Sequence, residues 1–85
     1  MFSKHSIDYN LLFKQQLKSV AVLETQLDEE DDPFIQKCLL KVLIEKYDEL
    51  LDCIRHGANY NDLHFANLRK ERKQQLKEVM KNENL

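Results

Sequence analysis

The stretch DEEDDPFIQKCLL, residues 28–40, contains the only proline of the chain and indicates where a helix begins. Proline fits the first position of a helix, because the N–H that it lacks has no helical partner there. Aspartate is preferred immediately before a helix, since its carboxylate accepts hydrogen bonds from the first free N–H groups. We therefore predict a helix that is capped by Asp32 and starts at Pro33.

The stretch LLDCIRHGANYND, residues 50–62, contains the only glycine and indicates where the same helix ends. Arg55 and His56 place cationic side chains in a last turn, whose carbonyl groups favour positive charge. Gly57 can adopt the left-handed conformation that often follows a helix. These signals predict helices over about 6–27, 33–56 and 62–81, and no segment alternates as a strand does.

The predicted second helix has an unusually wide apolar face. At 100° per residue its apolar positions cover roughly half of the circumference or more, whereas an ordinary amphipathic helix has a narrower stripe. The main positions are Leu39, Leu40, Leu43, Ile44, Tyr47, Leu50, Leu51 and Ile54. Because the connections are short, we predict an all-α, antiparallel up-down-up three-helix arrangement centred on this helix. A longer helical hairpin that dimerises into a bundle is the competing arrangement.

Length and composition describe one small helical domain over residues 1–85, with frayed tails at 1–5 and 82–85. A chain of this size has a modest core, and many such chains gain stability by association. The beginning of the chain lacks the apolar region of a secretory signal, and no apolar run approaches the roughly 20 residues that span a bilayer. Cys38 and Cys53 lie about 22 Å apart along one helix, too far for a disulfide. We expect a cytoplasmic protein with reduced thiols.

The charges are unevenly distributed, although the net charge is only −2. Residues 28–32 are all acidic, and the third helix is basic. In an up-down-up arrangement the third helix ends near the acidic connection, so we expect these charges to balance within the chain. The alternative function is a regulator that binds nucleic acid through Arg69, Lys70, Arg72, Lys73 and Lys77. Because Glu71 and Glu78 interrupt this patch, we do not expect nucleic acid as a partner.

One group of residues has the chemistry of a metal or catalytic site. Asp52, Cys53 and His56 lie near the end of the second helix, and His64 follows across a short turn. The helical spacing directs Cys53 toward the apolar face and the other two away from it, which separates the possible ligands. The chain also lacks zinc spacing, a glycine-rich phosphate loop and a nucleophile motif. We expect no enzyme activity, catalytic residue, metal or cofactor, and neither a membrane nor a small molecule as partner.

The first helix carries a second apolar strip, nearly opposite its main stripe. This strip consists of Ile7, Leu11 and Val22. Together with the wide face of the second helix, it exceeds what a self-contained bundle needs. Apolar surface without an internal partner indicates an external one.

Aromatic side chains at the start of the third helix form a further candidate edge for a partner. They are Tyr60, His64 and Phe65. Tyr60 and Phe65 also suit a hydrophobic staple around a cap at Asn61, which is a structural role. We therefore predict a non-enzymatic protein-interaction module, of the adaptor, co-chaperone or inhibitor type, that binds another protein or a second copy of itself.

Overall fold

The computed structural model describes residues 7–83, and three helices account for most of them. Helix α1 spans Tyr9–Glu29, α2 spans Pro33–Arg55 and α3 spans Asp62–Glu83. Helix α2 packs against both α1 and α3, and the described residues contain no strand. The predicted all-α arrangement of three helices, centred on the second, is therefore confirmed.

Helix α1 begins later than its sequence predicted. The carboxylate of Asp8 accepts a hydrogen bond from the N–H of Leu11 at 3.1 Å, and the helix starts at Tyr9. The predicted start, Ser6, and the predicted tail 1–5 lie outside the described residues. Serine and aspartate both cap helices well, so the chain offered two similar signals two residues apart.

Helices α1 and α3 also end later than predicted. Helix α1 continues to Glu29 rather than Leu27, and the N–H of Glu30, whose backbone is extended, donates to the carbonyl of Leu27 at 3.2 Å. Helix α3 continues through Glu83. The predicted tail 82–85 is thus helical in its first two residues, and the other two lie outside the described part of the chain.

The start of α2 is as predicted. Asp32 has an extended backbone, and its Oδ1 accepts a hydrogen bond from the N–H of Phe34 at 2.9 Å. Pro33 occupies the first helical position. The two residues together satisfy one free N–H group and remove another, which is how a helix start is stabilised.

The end of α2 depends on Gly57, whose φ of 117° is in the region that favours glycine. The N–H of Gly57 donates to the carbonyl of Ile54 at 3.0 Å, and the N–H of Ala58 donates to that of Cys53 at 2.9 Å. This pair of hydrogen bonds is a Schellman motif. It satisfies the last carbonyls of α2 and turns the chain toward α3.

The hydrophobic core is centred on α2, which supplies half of its buried apolar residues. The buried set is Phe13, Val20, Leu27, Leu40, Leu43, Tyr47, Leu50, Cys53, Ala58 and Val79. Helix α3 contributes only Val79 to this set, together with partly buried side chains. The wide apolar face of α2 is therefore used to contact two neighbouring helices, as its sequence indicated.

An aromatic group attaches the start of α3 to α1. The ring of Phe13 stacks on Tyr60 with centroids 3.8 Å apart and meets Phe65 edge-on at 5.1 Å. Oδ1 of Asn61 accepts hydrogen bonds from the N–H groups of Leu63 and His64, at 3.1 and 3.3 Å. The predicted cap at Asn61 is therefore present, and both aromatic residues of the predicted staple contact a ring of α1.

Candidate protein-interaction surfaces

A polar cluster joins the three helices. Nε and Nη2 of Arg72 donate to the two carboxylate oxygens of Glu24, at 2.9 and 2.8 Å. The hydroxyl of Tyr47 donates to the same carboxylate at 2.6 Å, and Nη1 of Arg72 donates to Gln75 at 3.1 Å. A bidentate pair of this kind fixes orientation as well as charge. Arg72, the basic residue within the apolar stripe of α3, thus attaches α3 to α1.

The cluster shifts three pKa values. Burial by itself raises the pKa of Glu24, but the hydrogen bonds from Arg72 and Tyr47 and the charge of Arg72 outweigh it, so this pKa lies below its ordinary value. The hydrogen bond with Glu24 raises the pKa of Arg72. Burial, followed by the hydrogen bond to Glu24, raises the pKa of Tyr47. Near neutral pH each group is held in one protonation state, which is typical of a structural cluster.

The six basic residues of α3 fall into two sets. Arg69 forms an ion pair with Asp48 of α2, and Arg72 forms the pair with Glu24. The other four are exposed and form no ion pair within the described part of the chain; they are Lys70, Lys73, Lys77 and Lys81. Five residues of α3 were predicted as the alternative nucleic-acid-binding set. Three of them are exposed lysines, and the two arginines form ion pairs with other helices of the chain.

The acidic run, residues 28–32, is not balanced by α3 as expected. Within residues 7–83 no ion pair links the run to α3, whose arginines pair with Asp48 and Glu24 instead. Asp32 caps α2, and a carboxylate oxygen of Glu30 accepts a hydrogen bond from the N–H of Asp32 at 3.1 Å. The carboxylates that the arginines of α3 reach belong to the neighbouring helices, and no direct pairing of the run with α3 occurs among the described residues.

Glu71 and Glu78 lie on a different side of α3 from the lysines. Lys70 and Lys77 are separated by two helical turns and share one line along the helix. Glu71 and Glu78 share a second line, turned by about 100° from the first. The glutamates therefore flank the lysine row on one side.

The strip predicted on α1 is exposed but not contiguous. Ile7, Leu11 and Val22 are 56, 52 and 57% exposed. Leu11 and Val22 lie about 16.5 Å apart along the helix axis, and Lys18 occupies the line between them. Single exposed apolar side chains are ordinary on a protein surface. The structure therefore does not bring these three residues into one surface.

The predicted aromatic edge is mostly internal. Tyr60 and Phe65 are partly buried against Phe13. His64 is exposed, and its ring meets Phe65 edge-on at 4.9 Å. Only His64 of the three predicted residues is thus largely open to a partner.

The residues near the end of α2 do not converge as a metal or catalytic site. Asp52 forms an ion pair with Arg55 at 2.7 Å, and Nδ1 of His56 lies 2.8 Å from the backbone carbonyl of Asp52. The ring of His56 stacks on Tyr9. Burial, followed by nearby carboxylates, raises the pKa of the Cys53 thiol, which keeps it protonated. Among the described residues no three side chains could hold a metal ion together.

A hollow opens between α2 and α3 near the start of α3. Its lining consists of Leu51, Ile54, Arg55, Asp62, Leu63 and Ala66. Leu63 is 66% exposed, the largest value among the exposed large hydrophobic side chains of the described residues. Leu51 and Ile54 are partly buried and form the opposite wall. The sequence analysis did not predict a role for Leu63. Its position outside the apolar stripe of α3 was the feature that could have indicated an exposed apolar side chain.

A row of basic residues continues from the hollow along α3. The pair between Arg69 and Asp48 fixes which parts of α2 and α3 lie side by side. Moving seven or eight residues from this pair along the two antiparallel helices places Lys41 of α2 at about the level of Lys77. A shallow depression beside this path is lined by Arg69, Lys70, Lys73, Gln74 and Lys77. We call the hollow and its continuation the α2–α3 groove.

A second seam runs between α1 and α2 and has the opposite charge. Ile35 and Val42, both 41% exposed, lie two turns apart on α2, with the partly buried Leu39 between them. The depression at this seam is lined by Gln26, Glu29, Glu30, Ile35 and Leu39. Three of these five residues are polar, so the α1–α2 seam suits an apolar partner less well than the hollow beside Leu63 does.

No helix within residues 7–83 is long and apolar enough to cross a membrane. Comparison of the chain with protein-family models, curated proteins and solved structures finds no match. A functional proposal therefore depends on the surface chemistry of the chain itself.

Proposed function

We propose that the chain is a non-enzymatic protein-interaction module that binds an amphipathic helix of another protein in the α2–α3 groove. The observation that supports this is the hollow, where Leu63 and Ala66 of α3 face Leu51 and Ile54 of α2. Leu63 stands two-thirds exposed beside this opening. Removing such apolar surface from water favours association.

A helix is the shape that suits a groove between two antiparallel helices. An amphipathic helix presents apolar side chains at intervals of three and four residues along one side. Leu63 and Ala66 have the same interval, and so do Leu51 and Ile54. Side chains of a bound helix can therefore fit between those of both walls.

A second copy of the chain is a poor occupant of this groove. In a symmetric dimer the same surface of both copies would meet, so the contact would contain the lysine row twice. Like charges that face each other oppose association. The proposed partner is therefore a different protein.

We propose the cytoplasm as the place of action. Cys38 is exposed, Cys53 is buried, and both thiols are free. An exposed thiol persists in a reducing compartment and tends to oxidise elsewhere.

The test uses three synthetic amphipathic helices with the same leucine face and with glutamine, glutamate or lysine on the polar face. NMR titration of the labelled protein should give saturable shift changes in α2 and α3 around the hollow with at least one peptide. Replacing Leu63→Gln and Ala66→Gln together should weaken that binding about tenfold or more, because the apolar contact is lost.

A matched variant carries Leu11→Gln and Ala21→Gln, the same two changes at exposed positions of α1. It should bind as the original protein does. An equal loss of affinity in this variant, or shift changes that avoid the hollow, would reject the proposal. A dimer in sedimentation that the Leu63 variant abolishes would replace the other protein with a second copy.

A further inference from the structure

We infer that the helix bound in the α2–α3 groove is acidic along one side, so that it pairs with the lysines of the groove. This inference rests on the proposed function and names the chemistry of the partner. It follows from a juxtaposition: the apolar hollow between α2 and α3 and a depression lined by basic residues lie along the same helix, α3.

The lysines lie at helical intervals from the hollow. Lys73 is seven residues beyond Ala66, and Lys77 is eleven beyond it, which corresponds to about 10.5 and about 16.5 Å along α3. Lys41 of α2 lies at about the level of Lys77 along the bundle. A bound helix that follows the groove therefore meets an apolar hollow at one end and positive charge two to three turns away.

The lysines of the groove have no acidic partner of their own. Lys41, Lys73 and Lys77 are exposed, and none forms an ion pair within the described residues. The carboxylate of Asp48, which lies between them and the hollow, is engaged by Arg69. No ion pair within the described residues therefore neutralises these lysines, and their charge is open to a bound molecule.

These distances define the partner in some detail. Its helix carries one or two large apolar side chains, three or four residues apart, that enter the hollow. Carboxylates follow at about seven and eleven residues from that anchor, in either chain direction, where they approach Lys73 and Lys77. The apolar contact provides most of the affinity, and the charges select the partner and its register.

An acidic helix fits the whole groove better than nucleic acid does. The phosphate backbone of nucleic acid has no apolar group that could fill the hollow. In addition, the acidic run 28–32 immediately precedes α2, at the end of the bundle toward which the antiparallel α3 runs. A long polyanion that continues past this end would be repelled, whereas a short helix ends before it.

The experiment measures the affinities of the three peptides by calorimetry at low and high salt. The glutamate peptide should bind about tenfold more tightly than the glutamine peptide at low salt, since several weak charge pairs add to that ratio. The lysine peptide should bind least. The preference for glutamate should shrink as salt is added.

Two variants locate the charges. Replacing Lys73→Gln and Lys77→Gln together should remove most of the preference for glutamate and leave the affinity of the glutamine peptide unchanged. The same changes at Lys14 and Lys18, exposed on α1, should preserve the preference. If the changes at Lys14 and Lys18 remove the preference for the glutamate peptide equally, the lysines of the groove are not its cause, and the inference is overturned.

The remaining outcomes separate this inference from the proposed function. Equal binding of the glutamate and glutamine peptides in the groove overturns the inference and leaves the proposed function standing, whereas no peptide in the groove rejects both. A short DNA duplex is the competing probe. Duplex binding that is tighter than that of the glutamate peptide, and that Lys73→Gln with Lys77→Gln removes, overturns the inference in favour of nucleic acid.

Discussion

The inner and outer sides of α3 carry the same sign of charge and use it differently. On the inner side the side chains of Arg69 and Arg72 are 31 and 22% exposed, and both are paired with carboxylates of neighbouring helices. On the outer side the lysines are exposed and form no ion pair among the described residues. A planar guanidinium makes several hydrogen bonds in one fixed orientation, whereas a flexible ammonium remains hydrated. The arginines hold the fold together, and the lysines are left for a partner.

This difference shows that the charge of a helix does not reveal how that charge is used. Arg72 and Lys73 are adjacent in sequence, yet a rotation of about 100° places one against Glu24 and the other in the groove wall. Replacing inner residues should therefore affect stability, and replacing outer residues should affect binding. Matched substitutions on the two sides test this division, beginning with the largest expected effect.

The largest contrast is expected between Phe65 and Leu63, which are two residues apart. Phe65 packs edge-on against Phe13, so Phe65→Ala should reduce the free energy of unfolding by about 3 kcal/mol, the low end for a phenylalanine that is only partly buried. Leu63→Ala removes an exposed side chain and should change it by less than about 0.5 kcal/mol. Urea denaturation measures both. Similar losses would show that Leu63 belongs to the core rather than to a binding surface.

The next contrast is between Arg72 and Lys73. Arg72→Ala leaves the carboxylate of Glu24 without its main partner, and we expect a loss of about 2 kcal/mol, between the values for exposed and fully buried pairs. Lys73→Ala should cost less than about 0.5 kcal/mol. Thermal and urea unfolding of the two variants provide the comparison. A larger loss for Lys73 than for Arg72 would reverse the assignment of the two sides.

Much of the fold could be predicted because its signals are local. Pro33 and Gly57 act on their own backbone and immediate neighbours, so they indicated both ends of α2 to within one residue. The start of α1 was less certain, since Ser6 and Asp8 are both good capping residues. The periodicity of apolar residues predicted which helix lies at the centre, because burial depends mainly on the pattern along each helix.

The candidate site could be predicted only in part. The sequence placed Arg72 within the apolar stripe of α3, which indicated an inner position, but its partner Glu24 depends on how α1 is rotated. The hollow beside Leu63 lies between residues of two helices, and no pattern within either helix encodes how they are placed against each other. Both the partner of Arg72 and the hollow therefore depend on how the helices pack against each other, which the pattern within one helix does not specify.

The third prediction concerns the pH dependence that the inner cluster produces. The pKa of Glu24 is lower in the folded chain than in the unfolded one, so its ionised form contributes stability above the unfolded value of about 4.3. This contribution is lost as the pH falls through the lower, folded pKa, where both states become protonated. The stability advantage of the original protein over Glu24→Gln should therefore shrink below about pH 4.3.

Urea unfolding between neutral pH and about pH 3 measures this difference. A second comparison measures the effect of Glu24→Gln in a protein that also carries Arg72→Met. It tests whether Arg72 is the source of the lowered pKa of Glu24. Without the guanidinium, the Glu24→Gln change should cost less stability, and that cost should depend less on pH. A constant cost across the whole pH range in the original background would mean that the cluster does not favour the ionised carboxylate.

The smallest effect on stability is expected from charge reversal on the outer side. If the lysines were needed to balance the acidic run 28–32, replacing Lys73→Glu and Lys77→Glu together would lower stability, and added salt would restore it. The arginines of α3 instead pair with Asp48 and Glu24, and the described residues contain no ion pair between the run and α3. We therefore expect a change of less than about 0.5 kcal/mol with little dependence on salt. A loss of more than about 1 kcal/mol that salt reverses would show that the outer lysines also support the fold through the acidic run.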